Sequence, residues 1–370
     1  MTHGSSAVRG ALVFLSLACS FAAAPQAANE AARAAFVEKM VGQHGFDRAE
    51  LSALLDAAAI DQTILDTMAR PAERVAPWFE YRNIFLTEER IAAGVRFWTE
   101  HAQTLEQVAA RYGVAPEMIV AIVGIETYFG TRMGRYRVLD ALATLAFAYP
   151  PRSAFFTSEL ESFLLLTREE HVDPKAALGS YAGAMGAGQF IPSSYRAYAV
   201  DADADGKRDL WSNWNDVFGS VANYFAKHGW RAGEPVMEPA TRTERYTGPE
   251  PRNSLDLDGT VGSVTELGYV FTTALPSTAP AAPYSFEAQG GGYEYWIGYH
   301  NFHVVTRYNR STKYALAAHQ LSQAIRSRYF EAVASNAGSA ARAGDRATQG
   351  AVADAGRDAR GRATQGAVAE

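Results

Sequence analysis

The apolar positions of this chain recur mainly at the spacing of amphipathic helices. Between residues 30 and 112, Phe36, Val37 and Met40 share one helical face, and later groups repeat that spacing. Further helices are predicted over residues 138–147, 154–169, about 193–199, about 213–228 and 312–331. A pattern of this kind predicts a mainly α fold.

Two segments depart from the helical pattern. Residues 235–298 are rich in Pro, Thr and Gly and contain alternating runs such as Val270-Phe271-Thr272-Thr273, which predict short strands. We therefore expect a small β insertion there, and an α+β class overall. Residues 334–370 lack large apolar side chains and carry Arg-Ala-Thr-Gln-Gly-Ala-Val-Ala twice, which predicts a disordered tail.

The helix predicted from Pro116 differs from the others because it is apolar on every face. Pro116 suits a first helical position, and Gly130 suits the residue just past the end. No charged or strongly polar side chain occurs from Met118 to Ile125, so the helix is expected to be buried. Glu126 follows directly as a carboxylate at the end of this apolar helix.

Burial raises the pKa of an acid, and an acid that is protonated near neutral pH can protonate a leaving group. Glu126 is therefore a candidate general acid. The alternative is that Glu126 forms an ion pair at the helix end with Arg132 or Arg135. Glu159, Glu161 and Asp140 lie on ordinary amphipathic segments and are expected to be surface charges.

The first 28 residues are typical of an export signal. Arg9 precedes an apolar run over residues 11–24 that is short and Ala-rich for a membrane span, and cleavage is expected between Ala24 and Ala28. The alternative is a lipoprotein signal in which Cys19, the single cysteine, is lipidated and anchors the chain to a membrane. The net charge of −6 gives no basic footprint for nucleic acid.

An acidic loop begins at residue 201 with carboxylates at its first, third and fifth positions. Gly206 stands at the sixth position, as in an EF-hand calcium loop, but Ser212 stands at the twelfth, where a bidentate Glu is usual. The candidate Ca²⁺ ligands are Asp201, Asp203, Asp205, Asp216 and the backbone carbonyl of Lys207. We expect a structural Ca²⁺; the alternative is a solvated acidic turn.

Several motifs occur in a fixed order along the chain. They are Gly124-Ile125-Glu126-Thr127, Tyr149-Pro150 with Arg152, the glycine-rich segment 179–192, the acidic loop, Gly219-Ser220-Val221-Ala222-Asn223-Tyr224, and Thr306-Arg307-Tyr308-Asn309. The ordered set resembles the lytic murein transglycosylase B family, which acts on bacterial peptidoglycan. The resemblance covers roughly residues 30–330 and excludes the signal and the tail.

The resemblance implies a lysozyme-like helical core with a helical N-terminal part, an EF-hand-like loop and a small β region. With the signal and tail, six segments are expected. They are the signal peptide (1–28), the helical N-terminal region (29–112), the catalytic core with the calcium loop (113–234), the β insertion (235–298), the C-terminal part of the core (299–333) and the repeat tail (334–370). The implied address is the periplasm, with an outer-membrane lipoprotein as the alternative.

The resemblance also implies the chemistry. Glu126 would protonate the β-1,4 bond between N-acetylmuramic acid and N-acetylglucosamine and then act as a base, which closes a 1,6-anhydro ring. The residues that match substrate-side positions are Tyr81, Arg152, Ser180, Tyr181, Gln189, Phe190, Tyr224, Tyr308, Asn309 and Tyr314. Pro151 replaces one member of a basic pair that would meet peptide stems.

Three other functions are compatible with parts of the sequence. A hydrolytic muramidase would use the same acid but add water, and a peptidoglycan-binding scaffold would lack an effective acid. A calcium-responsive regulator is disfavoured because the chain has one irregular loop and no Met-rich groove. Peptidoglycan strands are the expected partner, and other cell-wall enzymes are candidate partners.

Overall fold

Helices account for most of the chain, as the spacing of apolar residues predicts. The structure is a computed structural model that describes residues 23–69, 76–246 and 248–335. The predicted signal up to residue 22, with Cys19, and the predicted tail from residue 336 lie outside the described residues. The last described helix continues to residue 335, just past the predicted start of the tail at 334.

The N-terminal helical region contains six helices of the described chain. They are α1 Ala23–His44, α2 Arg48–Asp56, α3 Gln62–Ala69, α4 Trp78–Phe85, α5 Glu88–Glu100 and α6 Ala102–Tyr112. The central helices are α7 Pro116–Thr127, α8 Val138–Ala148, α9 Ser153–Glu169, α10 Pro192–Tyr198 and α11 Trp214–Lys227. The later helices are α12 Val261–Glu266, α13 His300–Tyr308 and α14, residues 312–335. The predicted mainly α class is therefore confirmed.

The strands of the described residues form two antiparallel sheets. A two-stranded sheet pairs β1 Tyr136–Arg137 with β2 Leu178–Gly179. The other strands are β3 Met237–Arg242, β4 Gly259–Thr260, β5 Tyr269–Val270, β6 Pro280–Glu287 and β7 Tyr293–Tyr299, in the order β4-β6-β7-β3-β5. The strand predicted over residues 270–273 is wrong beyond Val270, because β5 pairs with β3 only through residues 269 and 270.

One large hydrophobic core joins the helices, and a smaller one lies within the sheet. The large core runs from α1 to α14 and includes α7, whose Ile119, Val120 and Ile122 have no exposed surface. The small core groups Val261, Val264, Tyr269, Ala281, Ile297 and Tyr299 between α12 and the sheet. The β segment thus has a small core of its own, as its distinct composition and alternating pattern indicate.

No single described helix has the length and apolar character needed to cross a membrane. Two consecutive helices, α6 and α7, meet those criteria only when taken together, and a bend of 113° separates them.

Candidate active site

The centre of the site is the C-terminal end of α7. Pro116 begins this helix, and residues from Met118 to Gly124 are buried where α7 contacts α5, α6 and α11. The helix ends at Thr127, and Tyr128 rather than Gly130 is its left-handed cap. The predicted end at Gly130 is therefore wrong; the Thr127 hydroxyl accepts a hydrogen bond from the Gly130 amide at 3.0 Å and closes the turn early.

Glu126 is half-buried at this helix end and is held by a tyrosine. The Tyr314 hydroxyl on α14 donates to Glu126 Oε1 at 2.6 Å. Burial raises the pKa of Glu126 to about 7, and the hydrogen bond from Tyr314 opposes part of that rise. A carboxyl group with this pKa exchanges its proton near neutral pH.

The alternative ion pair at the helix end does not form. The guanidinium of Arg132 lies over the ring of Tyr128 at 4.7 Å, and that of Arg135 lies over Tyr136 at 5.8 Å. Within the described chain, no Lys or Arg forms an ion pair with Glu126. The raised pKa of Glu126 is consistent with that absence.

The other acids considered from the sequence are engaged elsewhere. Asp140 pairs with Arg137, and Glu161 contacts Lys39 and His44.

Glu159 was expected at the surface, and that expectation is wrong. It is 4% exposed and accepts hydrogen bonds from the Ser193 amide at 2.9 Å and the Ser193 hydroxyl at 2.7 Å. Glu159 lies three residues after Phe156 and four before Phe163, so helical spacing places it on the apolar face of α9.

The glycine-rich segment forms the surface next to α7. Gly179 pairs with Tyr136, and a Cβ at Gly179 would lie 2.3 Å from the carbonyl oxygen of Ala184. Gly186 has φ of 69°, and a Cβ there would lie 2.4 Å from the Leu210 oxygen. Both positions require glycine because neighbouring backbone occupies the space of a side chain.

The polar residues of this segment bind its own backbone. The Ser180 hydroxyl accepts hydrogen bonds from the amides of Ala182 and Ala184, at 3.2 and 3.0 Å. Gln189 Nε2 donates to the carbonyl oxygens of Met133 and Gly186. Tyr181 is 40% exposed, so its ring is open to a ligand.

Three of the predicted aromatic residues come together beside the glycine-rich segment. The rings of Phe190 and Tyr308 are 5.9 Å apart, and those of Tyr224 and Tyr308 are 4.9 Å apart. The Tyr308 hydroxyl donates to the Gly188 oxygen at 2.6 Å, and that of Tyr224 donates to the Arg307 oxygen at 2.6 Å. Tyr224 thus packs beside Tyr308 and hydrogen-bonds the backbone of α13.

Tyrosines surround Glu126 from three elements. Burial, with the nearby Glu126 charge as a further cause, raises the pKa of Tyr81 on α4, of Tyr308 at the end of α13 and of Tyr314 on α14. The structure therefore brings these three predicted residues together around the acid.

Two predicted residues are less closely connected to the acid. Asn309 is exposed just after α13. Arg152 is exposed and lies over the rings of Phe155 at 4.4 Å and Phe156 at 5.1 Å. No hydrogen bond or ion pair within the described ranges joins either one to Glu126.

The acidic loop gathers the predicted carboxylates into one cluster. One carboxylate oxygen from each of Asp201, Asp203, Asp205 and Asp216 lies within 4.8 Å of the others. Burial raises the pKa of Asp216, and the nearby charges of Asp203 and Asp201 add to the rise, while hydrogen bonds from the amides of Ala202 and Asp209 oppose part of it. Such a group of hard oxygen atoms fits Ca²⁺, which offsets the repulsion among them.

The turn and the closing end of this loop differ in how well the sequence predicts them. Gly206 makes the predicted sharp turn with φ of 91°. Ser212 points to Asp209, to which its hydroxyl donates, instead of closing the cluster. Asp209 was missed as an organising residue: its amide donates to Asp216 Oδ2 at 2.8 Å and joins the later part of the loop to α11.

The comparisons with known proteins agree with this geometry. The family model described as "Transglycosylase SLT domain" matches residues 28–323. The membrane-bound lytic murein transglycosylase B of Escherichia coli (strain K12) is 42% identical over 299 residues, which are 78% of this chain and 81% of that protein.

Solved structures show the same lysozyme-like architecture. The soluble lytic transglycosylase SltB1 of Pseudomonas aeruginosa matches with a TM-score of 0.77 and 46% identity, over 80% of this chain and 99% of that one. Escherichia coli Slt35, solved in complex with calcium, matches with a TM-score of 0.73 and 40% identity, over 81% of this chain and 94% of that one. The chain therefore belongs to the lytic murein transglycosylase B family of SLT-domain transglycosylases.

Proposed function

We propose that this protein is a lytic transglycosylase. It cleaves the β-1,4 bond between N-acetylmuramic acid and N-acetylglucosamine in peptidoglycan and leaves 1,6-anhydromuramic ends, for remodelling or turnover of the cell wall. The observation that carries the proposal is Glu126, a half-buried acid with a pKa of about 7 that, among the described residues, only a tyrosine hydroxyl holds. The name of the E. coli relative supports the substrate class.

In the first step Glu126 acts as general acid. Tyr314 donates its single hydroxyl proton to Oε1, so the transferable proton of Glu126 belongs on Oε2. That proton passes to the glycosidic oxygen, the bond from this oxygen to C1 of muramic acid breaks, and N-acetylglucosamine leaves as an alcohol. The N-acetyl carbonyl of the muramic residue stabilises the positive charge that develops at C1.

In the second step Glu126, now a carboxylate, acts as base. It takes the proton from the muramic O6 hydroxyl, and O6 forms a bond to C1. The ring closes without water, and Glu126 is protonated again. Glycosidases that use two carboxylates need a second acid as nucleophile or base. Here Glu159, Glu161 and Asp140 all bind other groups, which supports a mechanism with one acid.

The glycan strand would lie along the glycine-rich segment, with aromatic residues on both sides. Exposed Tyr181 and partly exposed Tyr81 are proposed to contact sugar rings, while Ser180 and Gln189 hold N-acetyl groups. Phe190 belongs to this segment, and the residues proposed to shape the wall beside it are Tyr224, Tyr308, Asn309 and Tyr314. Arg152 is proposed to meet carboxylates of the peptide stem.

Ca²⁺ is proposed as a structural ion in the acidic loop. The residues that would hold it are Asp201, Asp203, Asp205, Asp216 and the carbonyl of Lys207, and the Slt35 structure with calcium supports this. We expect Ca²⁺ to raise the melting temperature, by an amount equivalent to about 2.7 kcal/mol at 100 times its Kd. Calorimetry with Ca²⁺ and with a chelator measures this effect. Asp203→Ala should abolish the increase in melting temperature, and the control Asp66→Ala, on α3, should keep it. Equal melting temperatures of the unmodified protein with Ca²⁺ and with the chelator would contradict the site.

Export and domain organisation complete the proposal. The chain acts in the periplasm after removal of a signal within residues 1–28, with lipidation of Cys19 as the alternative. Segments 113–234 and 299–333 form the lysozyme-like core, 29–112 is a helical N-terminal region, and 235–298 is an insertion with its own small core. Mass measurement of the exported protein distinguishes a cleaved signal from a lipidated cysteine.

Digestion of purified peptidoglycan tests the activity. Mass spectrometry should find fragments with 1,6-anhydromuramic ends, which are lighter by one water than hydrolysis products. Fragments with an added water would instead identify a hydrolytic muramidase. Binding to peptidoglycan with no fragments after long incubation would identify a non-catalytic scaffold.

A further inference from the structure

The backbone immediately after the acid has an unusual conformation. Tyr128, Phe129 and Gly130 are all left-handed, with φ of 50°, 59° and 79°. For residues other than glycine this conformation costs about 1–2 kcal/mol each. It persists only where surrounding contacts impose it, and it begins two residues after Glu126, the group that does the chemistry.

Thr127 provides the contacts that close this turn. It has no exposed surface, and its hydroxyl accepts a hydrogen bond from the Gly130 amide at 3.0 Å. Its carbonyl oxygen accepts from the Arg132 amide at 2.8 Å. The ring of Phe129 fills the space above Gly124, where an added Cβ would lie 2.7 Å from the ring. Thr127 therefore fixes the turn through both its backbone and its side chain.

The same hydroxyl also binds outside its own helix. Its oxygen lies 2.8 Å from the carbonyl oxygen of Ala187 and 3.2 Å from that of Val123. A hydroxyl has one proton, and the shorter distance assigns it to Ala187. Threonine within a helix commonly donates to its own helix four residues back, so this bond is a departure that joins α7 to the glycine-rich segment.

Ala187 is itself held on its other side. Its amide donates to the Leu210 oxygen at 2.8 Å, and it has no exposed surface. The next residue, Gly188, accepts the hydrogen bond from Tyr308 at 2.6 Å. The carbonyl group of Ala187, which accepts the hydrogen bond from Thr127, is therefore a fixed point shared by α7 and the proposed sugar-binding surface.

We propose that Thr127 is a positioning residue, whose hydroxyl fixes the end of α7 so that Glu126 keeps its place between Tyr314 and the glycan. Thr127 does not itself touch substrate, and the part of this inference that concerns glycan rests on the proposed function. The titratable groups that face Glu126 are Tyr81, Tyr308 and Tyr314. The charged groups beside the turn, Arg90 and Arg132, lie over the Tyr128 ring.

Four variants of the full protein separate positioning from packing. Thr127→Val keeps the shape and removes the hydroxyl, whereas Thr127→Ser keeps the hydroxyl. Thr167→Val is the matched control, because Thr167 is a buried threonine of α9 whose hydroxyl donates only within its helix. Glu126→Gln identifies the carboxyl signal of Glu126 in ¹³C NMR spectra of protein with labelled Glu. The readouts are the titration midpoint of that signal and, with peptidoglycan, kcat and KM.

We expect Thr127→Val to move the Glu126 midpoint towards that of an ordinary Glu, because a loosened turn admits water. Its kcat should fall about 10- to 100-fold, the range for an unsatisfied buried partner, with KM changed less than about threefold. Thr127→Ser should have the titration midpoint and kcat of the unmodified protein, and Thr167→Val should leave both unchanged. If Thr127→Val does not fold, Thr127→Cys, a weaker donor of similar size, should shift the midpoint in the same direction.

A wild-type midpoint in the folded Thr127→Val or Thr127→Cys protein would overturn the positioning role. So would a loss of kcat no larger than that of Thr167→Val. The titration does not depend on turnover. A midpoint that follows the Thr127 variants in a protein that makes no anhydro product would refute the proposed function and support the positioning role.

Discussion

The end of α7 and the middle of α9 each place a carboxylate in the helical core, but in different surroundings. In α9, both oxygens of Glu159 accept hydrogen bonds, one from the Ser193 amide and one from the Ser193 hydroxyl. In α7, one oxygen of Glu126 accepts from Tyr314, and the described residues offer its other oxygen no hydrogen bond. Glu126 is also the more exposed of the two.

The difference shows that burial alone does not make a carboxylate reactive. Donors on both oxygens satisfy the hydrogen-bonding capacity of Glu159 and make it a fixed acceptor that holds α10 to α9. Glu126 pays a desolvation penalty that a single hydroxyl offsets only in part, so its pKa rises to about 7. An acid that can lose and regain a proton at neutral pH therefore needs burial and few donors together.

The largest expected effect is on activity at Glu126. Glu126→Gln keeps the shape and the acceptor for Tyr314 but cannot transfer a proton, so product formation should fall by about 10³-fold, within the range for general acid–base catalysis. Quantification of anhydro-ended fragments measures the loss. Glu159→Gln is the matched control and should keep activity within about threefold. Full activity of Glu126→Gln would remove Glu126 from the mechanism.

The second effect concerns stability as a function of pH. The folded pKa of Glu126 lies above its unfolded value, so the folded state binds the extra proton and the free energy of unfolding falls as pH rises from about 4.5 to about 7. In Glu126→Gln this decrease in the free energy of unfolding is absent, because the amide does not titrate. This variant should be more stable than the unmodified protein by up to about 3 kcal/mol at pH 8 and equally stable at pH 4. Denaturant unfolding at both pH values measures the difference, and equal stability at pH 8 would contradict the raised pKa.

The third effect should be seen in stability at Glu159. Glu159→Gln replaces one acceptor oxygen with an amide NH2 group. The remaining oxygen can still accept from the Ser193 amide, but the NH2 group cannot accept the proton of the Ser193 hydroxyl, which loses its partner. We expect a decrease of about 2 kcal/mol in the free energy of unfolding, as for a buried unpaired donor. Glu161→Gln, at a more exposed position of the same helix, is the control and should lose less. An unchanged melting temperature of Glu159→Gln would show that the Ser193 contacts contribute little.

The features predicted correctly from the sequence are mostly local. The spacing of apolar residues marks the helices, and three carboxylates within five residues mark the acidic loop. The burial of Glu159 was not predicted, because a charged side chain favours the surface, although its spacing from Phe156 and Phe163 places it on the apolar face of α9. The left-handed turn at Tyr128 was missed because neither Tyr128 nor Phe129 is a residue that favours it.

Contacts between distant parts of the chain could not be derived from spacing. Tyr314 lies 188 residues from Glu126, and only the family resemblance pointed to it. The strand order β4-β6-β7-β3-β5 likewise depends on pairings between distant segments. Local patterns carry no information on such pairings, since they are decided by how whole elements pack.

The smallest expected effect is at Tyr314, the single hydrogen-bond donor to Glu126 in the part of the chain that the structure describes. Tyr314→Phe removes a hydrogen bond that lowers the pKa of Glu126, so that pKa should rise further above its ordinary value. The alkaline limb of the pH profile, where the acid form is lost, should move to higher pH. The maximal rate should fall about 10-fold, because a bond to a charged group also stabilises the carboxylate that acts as base. Kinetics from pH 5 to 9 measure both changes, with Tyr246→Phe in the β segment as control. A limb that moves to lower pH would mean that Tyr314 stabilises the protonated acid, and the number of donors to the carboxylate would then no longer explain the contrast with Glu159.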